Sequence, residues 1–299
     1  MNNGLLLVIS ICANFCNAII KKFLTSRYEN NTFSQQVFIA ITSLVSALVL
    51  LVLADDLNAS LFTVLLALAF GIITALQSVF FLQAMAYGPF SYTSVIVSLS
   101  MLIPTLSGAI FWNETIAPIQ IVGILLMVGC FVLSVKFYGE EKKASLKWLL
   151  LCMAAFICTG AIGIMQKIHQ SSSHREELDA FLIIAFLFSF AYSTTSWAIF
   201  TIKKHGQAKT SANKPSVLNW LPILLMVVSG GCIAANNKLN LYLSGVMDSA
   251  LFFPLVNGVG LILTSLAAFI LFREHLTKRQ WVGLALGIVA VLCLCNPFG

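Results

Sequence analysis

The segment LPILLMVVSGGCIAANNKLNLYLSG, residues 221–245, carries the feature that decides the fold. Its first part is an almost unbroken run of apolar side chains, and its second part holds three asparagines, a lysine and a tyrosine. About 20 mostly apolar residues are enough for an α-helix to cross the hydrocarbon core of a bilayer. The segment therefore predicts a membrane-spanning helix that has a polar face.

The composition of the whole chain gives the same indication. Of its 299 residues, 59% are hydrophobic and only 9% are charged, and the mean hydropathy is +0.95. A soluble domain carries about 25% charged residues, because it must cover itself with polar surface. We therefore expect a lipid bilayer around most of the protein. We interpret the net charge of +6 as a loop bias and predict no nucleic-acid partner.

Apolar segments of spanning length recur along the chain and predict an all-α membrane protein with ten transmembrane helices. The apolar runs are continuous rather than alternating, which favours helices over membrane strands. The first run lacks a basic region in front of it, so we interpret it as a helix rather than a signal peptide. The predicted segments are 3–21, 34–54, 60–86, 90–112, 117–137, 146–167, 179–202, 217–243, 247–272 and 279–296.

The loops between these segments predict the orientation in the membrane. Cytoplasmic loops carry an excess of Lys and Arg. Four alternate loops hold almost all of these residues, whereas the opposite loops hold only Lys167 and Arg175. We therefore predict that both termini are extracytoplasmic. The basic loop residues are Lys21, Lys22, Arg27, Lys136, Lys142, Lys143, Lys147, Lys203, Lys204, Lys209, Lys214, Arg273, Lys278 and Arg279.

An internal repeat divides the chain. Residues 70–137 match residues 230–297 at an offset of 160, which aligns Gln77 with Asn237 and Glu114 with Glu274. The repeat predicts two five-helix halves, and the second half enters the membrane from the opposite side because five is odd. Inverted repeats can open a midplane site to each side of the membrane in turn. The predicted halves are residues 1–138 and 146–299, joined by a cytoplasmic linker at 139–145.

The last two helices of each half resemble a known family. The segments SVIVSLSMLIPTLSGAIFWNETIAPIQIVGILLMVGCFVLS, 94–134, and SALFFPLVNGVGLILTSLAAFILFREHLTKRQWVGLALGIVAVLCL, 249–294, are similar to EamA repeats of the drug/metabolite transporter superfamily. Each has a proline-containing helix, a Glu at its far end and a Q-x-x-G helix. The resemblance implies a secondary transporter in a bacterial inner, or plasma, membrane, with a central cavity lined by helices 1, 3, 4, 6, 8 and 9. Members of this family move amino acids, nucleotide sugars, drugs and other metabolites.

Helix 8 supplies the main candidate residues for such a cavity. Because successive residues of an α-helix turn by about 100°, Asn236, Asn237 and Asn240 lie within one stripe. Gln77 is the repeat partner of Asn237 and places an amide at the same position in the other half. The stripe either lines a wet cavity or forms hydrogen bonds between helices. The sequence leaves both alternatives open.

Lys238 lies on the other side of helix 8. A lysine in a membrane helix is costly and is a functional residue by default. We consider two alternatives: the ammonium binds an anionic group of the substrate, or it extends along the helix toward the outer surface.

Other helices add weaker candidates. Asn14 and Asn17 lie one turn apart in helix 1, and Thr159 is the repeat equivalent of Asn14. In helices 4 and 9, Pro104 and Pro254 remove a backbone hydrogen bond near further polar residues. The complete predicted substrate-binding set is Asn14, Asn17, Gln77, Ser94, Ser98, Thr159, Asn236, Asn237, Lys238, Asn240 and Asn257.

The sequence lacks the residues that several classes of chemistry require. All acidic residues fall near the ends of the predicted helices or in loops, and helix 1 has no carboxylate where the resemblance to small multidrug exporters implies a glutamate. We find no phosphate-binding loop, metal-ligand cluster or Ser/His/Asp set, and we predict no enzyme activity, metal or cofactor. Glu114 and Glu274 are interpreted as anchors of helix starts.

These observations predict a transporter for a small polar or zwitterionic metabolite, such as an amino acid or a nucleobase-like compound. It works by alternating access, and export is favoured by the family resemblance alone. One alternative is a transporter of organic cations or drugs, which an aromatic cage would support. A second alternative is a membrane enzyme or lipid-binding scaffold. The sequence leaves the oligomeric state open.

Overall fold

The computed structural model describes residues 3–27, 32–54, 57–87, 93, 96–133, 145–204, 219–271 and 277–295. Over these residues the chain is helical and forms no strand, which confirms the predicted all-α class. Ten α-helices lie in the described part. They are α1 Asn3–Arg27, α2 Thr32–Val52, α3 Leu61–Tyr87, α4 Leu102–Phe111, α5 Pro118–Leu133, α6 Leu146–Gln170, α7 Leu178–Lys204, α8 Trp220–Val246, α9 Ser249–Leu271 and α10 Lys278–Cys295.

The helices follow the ten predicted segments in order, but α4 covers only Leu102–Phe111 of the predicted 90–112. By length and composition, seven are long and apolar enough to cross a membrane: α1, α2, α3, α6, α7, α8 and α10. Three shorter apolar stretches remain: Ile96–Phe111, which includes the turn before α4; Pro118–Leu133, which is α5; and Ser249–Leu263, which is the first part of α9. A 3₁₀ turn, Leu99–Met101, precedes α4 at the place where Pro104 cannot donate to the Ser100 carbonyl.

The described helices form two compact units. The first unit comprises Met1–Leu7, Leu76–Ser171 and Leu241–Gly299, and the second comprises Val8–Ala75 and Ser172–Asn240. Each unit takes helices from both predicted repeats. The division into repeats at 1–138 and 146–299 stays a prediction, and the predicted linker lies outside the described residues except for Ser145. The hydroxyl of Ser145 accepts a hydrogen bond from the Trp148 backbone at 3.2 Å and caps α6.

In the first unit, the Q-x-x-G pattern has a structural explanation. Gln120 is the third residue of α5, and its side-chain oxygen accepts the Ala117 backbone N–H at 3.0 Å. Gln280 does the same at the start of α10, accepting from Thr277 at 2.9 Å. Each bond satisfies a donor that the helix start leaves unpaired. The glutamine of the motif therefore fixes where the helix begins.

The glycine of the same pattern allows α5 and α10 to pack closely. A Cβ on Gly123 would lie 2.9 Å from Leu294 Cγ, and a Cβ on Gly283 would lie 3.0 Å from Leu133 Cβ. Small residues permit such approach between membrane helices. The glutamine of the motif thus fixes where the helix begins, and the glycine one turn later allows the two helices to pack closely.

In the second unit, α2 packs against α7 and α8 through small polar residues. The hydroxyls of Ser43 and Ser189 are 3.0 Å apart and buried between α2 and α7. Ser46 donates to the Gly230 carbonyl at 2.8 Å, which joins α2 to α8. Helix α8 continues without a break through Gly230 and Gly231, so its residues keep regular helical positions.

Gly230 and Gly231 provide a matched pair for testing this packing. A Cβ on Gly230 would lie 2.7 Å from Val45 Cβ and 3.0 Å from the Thr42 carbonyl oxygen, whereas a Cβ on Gly231 would meet nothing within 4 Å. We expect Gly230→Ala to lower the free energy of unfolding by about 1–3 kcal/mol through overpacking. Gly231→Ala should be neutral or should stabilise the helix by up to about 1 kcal/mol. The measurement is thermal unfolding in detergent, and equal midpoints for the two variants would contradict the close approach of α8 to α2.

Candidate functional site

Polar side chains of α1 and α8 meet in the second unit. Ser10 donates to the side-chain oxygens of Asn240 and Asn236, at 2.6 and 3.0 Å. Seven residues further along α1, the side-chain oxygen of Asn17 accepts from Ser229 at 2.6 Å. Since early residues of α1 meet late residues of α8, the two helices run antiparallel. We call these five residues the α1–α8 seam.

The seam has a buried layer and a partly exposed layer. The side chains of Ser10 and Ser229 are fully buried, each 0% exposed. The asparagines that they contact are only partly buried. Asn240 also donates to the side-chain oxygen of Asn236 at 3.3 Å. The hydroxyls therefore lie beneath the amides and hold them through their oxygen atoms.

Two further predicted asparagines lie beside the seam. Asn14 follows Ser10 by one turn of α1, is partly buried, and forms no hydrogen bond among the described residues. Asn237 donates from Nδ2 to the Ile233 carbonyl of its own helix at 2.9 Å. Asn236 and Asn240 thus hydrogen-bond across to α1, whereas Asn237 is held within α8.

In the first unit, the predicted residues bond mainly to nearby atoms. Thr159 donates to Ala155 at 2.7 Å and Asn257 donates to Phe253 at 2.8 Å, each to a carbonyl one turn earlier. The side-chain oxygen of Gln77 accepts from Ser78 at 3.5 Å. Ser98 is partly buried before the 3₁₀ turn, and Ser94 lies outside the described residues. A substrate role for all of them stays a prediction.

Sequence reasoning missed Ser10 and Ser229. The signal was present, because Ser10 precedes Asn14 by four residues and Ser229 precedes Asn236 by seven. Both spacings place residues on one helix face. Serine is common in membrane helices and often bonds to its own backbone, so the spacing alone gave little reason to select these two.

Lys238 forms an ion pair that the sequence analysis did not anticipate. Its Nζ lies 2.6 Å from Oδ1 of Asp179, in the first turn of α7, and donates to the Leu53 carbonyl at 3.1 Å. Leu53 directly follows α2. The ammonium therefore lies at the level where α2 ends and α7 begins. This position favours the alternative in which the lysine extends toward a membrane surface, and an anionic substrate group would have to compete with Asp179.

A second ion pair lies in the first unit. Lys167 Nζ is 2.5 Å from Oε1 of Glu114, and the two side chains are 8% and 10% exposed. Oε2 of Glu114 accepts the Ser249 backbone N–H at 2.7 Å, and Lys167 donates to the Met247 carbonyl at 3.4 Å. Glu114 therefore caps α9, a helix distant in sequence. Glu274 lies outside the described residues.

The turn after α4 directs Glu114 to this place. Asn113 has a φ of 51°, the left-handed conformation that asparagine adopts more readily than most residues. The backbone then folds back, so that the Glu114 N–H donates to the Gly108 carbonyl at 3.2 Å. A Cβ on Gly108 would lie 2.5 Å from Ser249 Cβ. The close approach of α4 to α9 therefore requires glycine at this position.

The two ion pairs follow the same electrostatic rule. Each lysine donates to the first carbonyl beyond a helix C-terminus, Leu53 after α2 and Met247 after α8. Each carboxylate lies at a helix N-terminus, Asp179 in α7 and Glu114 at α9. Helix dipoles favour a cation at the C-terminus and an anion at the N-terminus. Both pairs are thus stabilised by helix ends as well as by each other.

Comparison with known proteins finds a family model that matches the first part of the chain. Residues 3–135 match the model of the EamA-like transporter family, which confirms the resemblance to the drug/metabolite transporter superfamily. The match is to a family of transporters. Together with the seven long apolar helices, it supports a multi-pass membrane protein.

Two further proteins are similar to the chain. An uncharacterised protein of Haemophilus influenzae is 24% identical over 201 residues, a match that covers 66% of this chain and 63% of the relative. The chain therefore spans less than two thirds of that relative's length. A crystal structure of another protein has a TM-score of 0.71 at 14% identity, covering 97% of this chain and 95% of the other. At that identity the likeness shows the shared fold alone.

The buried ion pair of the first unit can be tested against an exposed pair. Glu114→Gln keeps an oxygen for the Ser249 N–H but removes the charge opposite Lys167. Loss of one partner of a buried pair costs about 3–5 kcal/mol, whereas an exposed pair contributes about 0–1 kcal/mol. We therefore expect a clear fall in the thermal unfolding midpoint for Glu114→Gln. The matched control is Glu176→Gln, because Arg175 and Glu176 are 68% and 89% exposed.

A second substitution separates charge from packing in the same measurement. Adding Lys167→Met to Glu114→Gln removes the unpaired ammonium and should recover much of the lost stability. Equal midpoints for Glu114→Gln and Glu176→Gln would show that the Lys167 pair contributes no more than a surface contact.

Proposed function

We propose that the protein is a secondary transporter of a small polar or zwitterionic metabolite, an amino acid or a nucleobase-like compound. It moves this substrate across the plasma membrane by alternating access of two inverted repeats. The observation that carries the proposal is the three partly exposed asparagines of the α1–α8 seam, which lie on two helices long enough to cross a membrane. One of these helices lies in the segment that matches the EamA-like family.

The exposure of the amides supports a substrate role beyond helix packing. A hydrogen bond between membrane helices contributes only about 0.6 kcal/mol on average, so several asparagines are a costly way to join two helices. The buried hydroxyls donate to the amide oxygens. The remaining donors are on partly exposed side chains, where a water-filled cavity and a polar substrate can satisfy them.

Direction and orientation form part of the same proposal. The loop bias of Lys and Arg supports extracytoplasmic termini, and family resemblance supports export. The end of α2 and the start of α7, where Lys238 pairs with Asp179, then face the outside of the cell. Because no carboxylate occurs in the α1 sequence, we propose a uniporter or exchanger rather than a proton antiporter of cations.

Asn237→Ala and Gln77→Ala test the substrate-binding residues. Among the described residues, Asn237 hydrogen-bonds only within its own helix and Gln77 only to its neighbour, so their removal breaks no hydrogen bond between helices. The protein is reconstituted in liposomes and assayed with radiolabelled amino acids, nucleobases, sugar nucleotides and quaternary amines. We expect each substitution to reduce transport about tenfold, the loss of one good hydrogen bond to a charged group.

The control for this experiment is Thr195→Val. Thr195 donates at 2.7 Å to the Ala191 carbonyl of its own helix and is exposed, so it resembles Asn237 in local bonding but lies on α7. It should transport normally. Ligand binding is checked by thermal unfolding, since a ligand at 100 times its Kd stabilises by about 2.7 kcal/mol. Unchanged transport and affinity in both test variants would show that these residues do not line the site. Transport of quaternary amines alone would favour the organic-cation alternative.

A further inference from the structure

The two hydrogen-bonded contacts of the α1–α8 seam set the register of two antiparallel helices. Ser10 contacts Asn236 at one end of the seam, and Asn17 contacts Ser229 at the other. The two contacts are equally far apart along α1 and along α8. Residues between them on one helix therefore lie opposite residues between them on the other, in reverse order.

A cysteine of each helix lies at a matching position in this register. Cys16 directly precedes Asn17, and Cys232 follows Ser229 by three residues. Because residues three and four apart share a helix face, Cys232 lies on the same side of α8 as Ser229 and Asn236. The thiols of Cys16 and Cys232 make a direct side-chain hydrogen-bond contact. The register and the contact thus agree that the two thiols are neighbours.

The cysteine pair lies at an open edge of the seam. Both thiols are free, and Cys16 is exposed whereas Cys232 is partly buried. A Cβ on Gly231, directly before Cys232, would meet nothing within 4 Å. A small molecule can therefore reach the Cys16 sulfur first, with the Cys232 sulfur beside it.

The chemistry of two neighbouring thiols favours oxidation. A structural zinc site needs about four ligands. No group of three or more His, Cys, Asp or Glu side chains that could hold a metal ion occurs in the part of the chain that the structure describes. Two cysteines on facing helices can be joined by a disulfide when the backbones are close. Hydrogen bonds at both ends of the seam, at 3.0 and 2.6 Å, hold α1 against α8 on either side of the pair.

We propose that Cys16 and Cys232 form a redox-sensitive pair, which a low-molecular-weight disulfide oxidises to a covalent cross-link between α1 and α8. The exposed Cys16 sulfur gives up its proton and attacks one sulfur of the small disulfide, whose S–S bond breaks and releases one small thiol. The Cys232 sulfur then gives up its proton and attacks the Cys16 sulfur, which releases the second small thiol. Two cysteines are oxidised, one small disulfide is reduced, and the two released thiols carry the two protons.

The cross-link also acts on the proposed transport function, on which this consequence rests. Helix α1 belongs to the first predicted repeat and α8 to the second, and alternating access moves one repeat against the other. Cys16 and Cys232 lie near the middle of their helices. A disulfide holds the two Cβ atoms within about 4.5 Å, so it prevents α1 and α8 from separating there. Oxidation of the pair therefore arrests transport, and reduction restores it.

Oxidation of the purified full-length protein tests the pair without a transport assay. The protein is treated with dithiodipyridine, a small membrane-permeant disulfide, and its peptides are analysed by mass spectrometry without reduction. We expect a disulfide-linked peptide pair that contains Cys16 and Cys232 and that a reducing agent separates. Cys232→Ser should instead leave the reagent attached to Cys16 as a mixed disulfide. A mixed disulfide at Cys16 in the unsubstituted protein, with Cys232 still free, would overturn the proposal.

Cys12 provides the matched control. Like Cys16 it is exposed, and it lies one turn earlier on the same side of α1. The register places Cys12 toward Asn236, away from Cys232. Cys12→Ser should therefore keep the cross-link, whereas Cys16→Ser should abolish it. A cross-link to Cys232 that survives in Cys16→Ser and is lost in Cys12→Ser would overturn the proposal.

The effect on transport is measured in liposomes with a substrate found in the panel of the transport assay. Dithiodipyridine should abolish transport by the unsubstituted protein and by Cys12→Ser, and dithiothreitol should restore it. Cys16→Ser should continue to transport after the same treatment. Undiminished transport by cross-linked protein, or an equal loss in Cys16→Ser, would overturn the regulatory role. If the reduced protein transports no compound in the panel, the proposed function fails, and the linked peptides still decide whether the cysteine pair forms.

Discussion

Polar groups placed among apolar helices must find their partners inside the protein, because hydrocarbon offers none, and this constraint governs every site described above. The hydrogen bond from Ser10 to Asn240, at 2.6 Å, is the clearest instance. It satisfies a fully buried hydroxyl and joins α1 to α8. The packing of α1 against α8 and the position of the candidate amides thus depend on the same contact.

The same constraint explains the charged residues. Lys167 and Lys238 occur within α6 and α8, yet each ammonium reaches a carboxylate and a carbonyl at the end of another helix. Helix ends carry unpaired backbone groups and a partial charge, so they accept ions that the helix centre does not tolerate. One ion pair in each unit therefore connects several helix ends.

The Q-x-x-G pattern shows how a short motif acts both locally and between helices. Gln120 and Gln280 cap the starts of α5 and α10, and Gly123 and Gly283 let these helices approach each other. A capping bond joins residues three apart in sequence, so it is readable from spacing. Which helix packs against the glycine depends on the fold.

Periodicity and composition by themselves predicted the order of the helices and the membrane environment, because both depend on local hydrophobicity. Short motifs carried the resemblance to EamA repeats. The amide stripe of α8 was also visible as helical spacing. Only the tertiary structure decided the partners: Ser10 for Asn240, Ser229 for Asn17, Asp179 for Lys238, and Ser249 for Glu114. These contacts join residues far apart in sequence, and no local pattern specifies them. Their geometry follows from how whole helices pack, which is why the partners of the seam asparagines could not be predicted from the sequence.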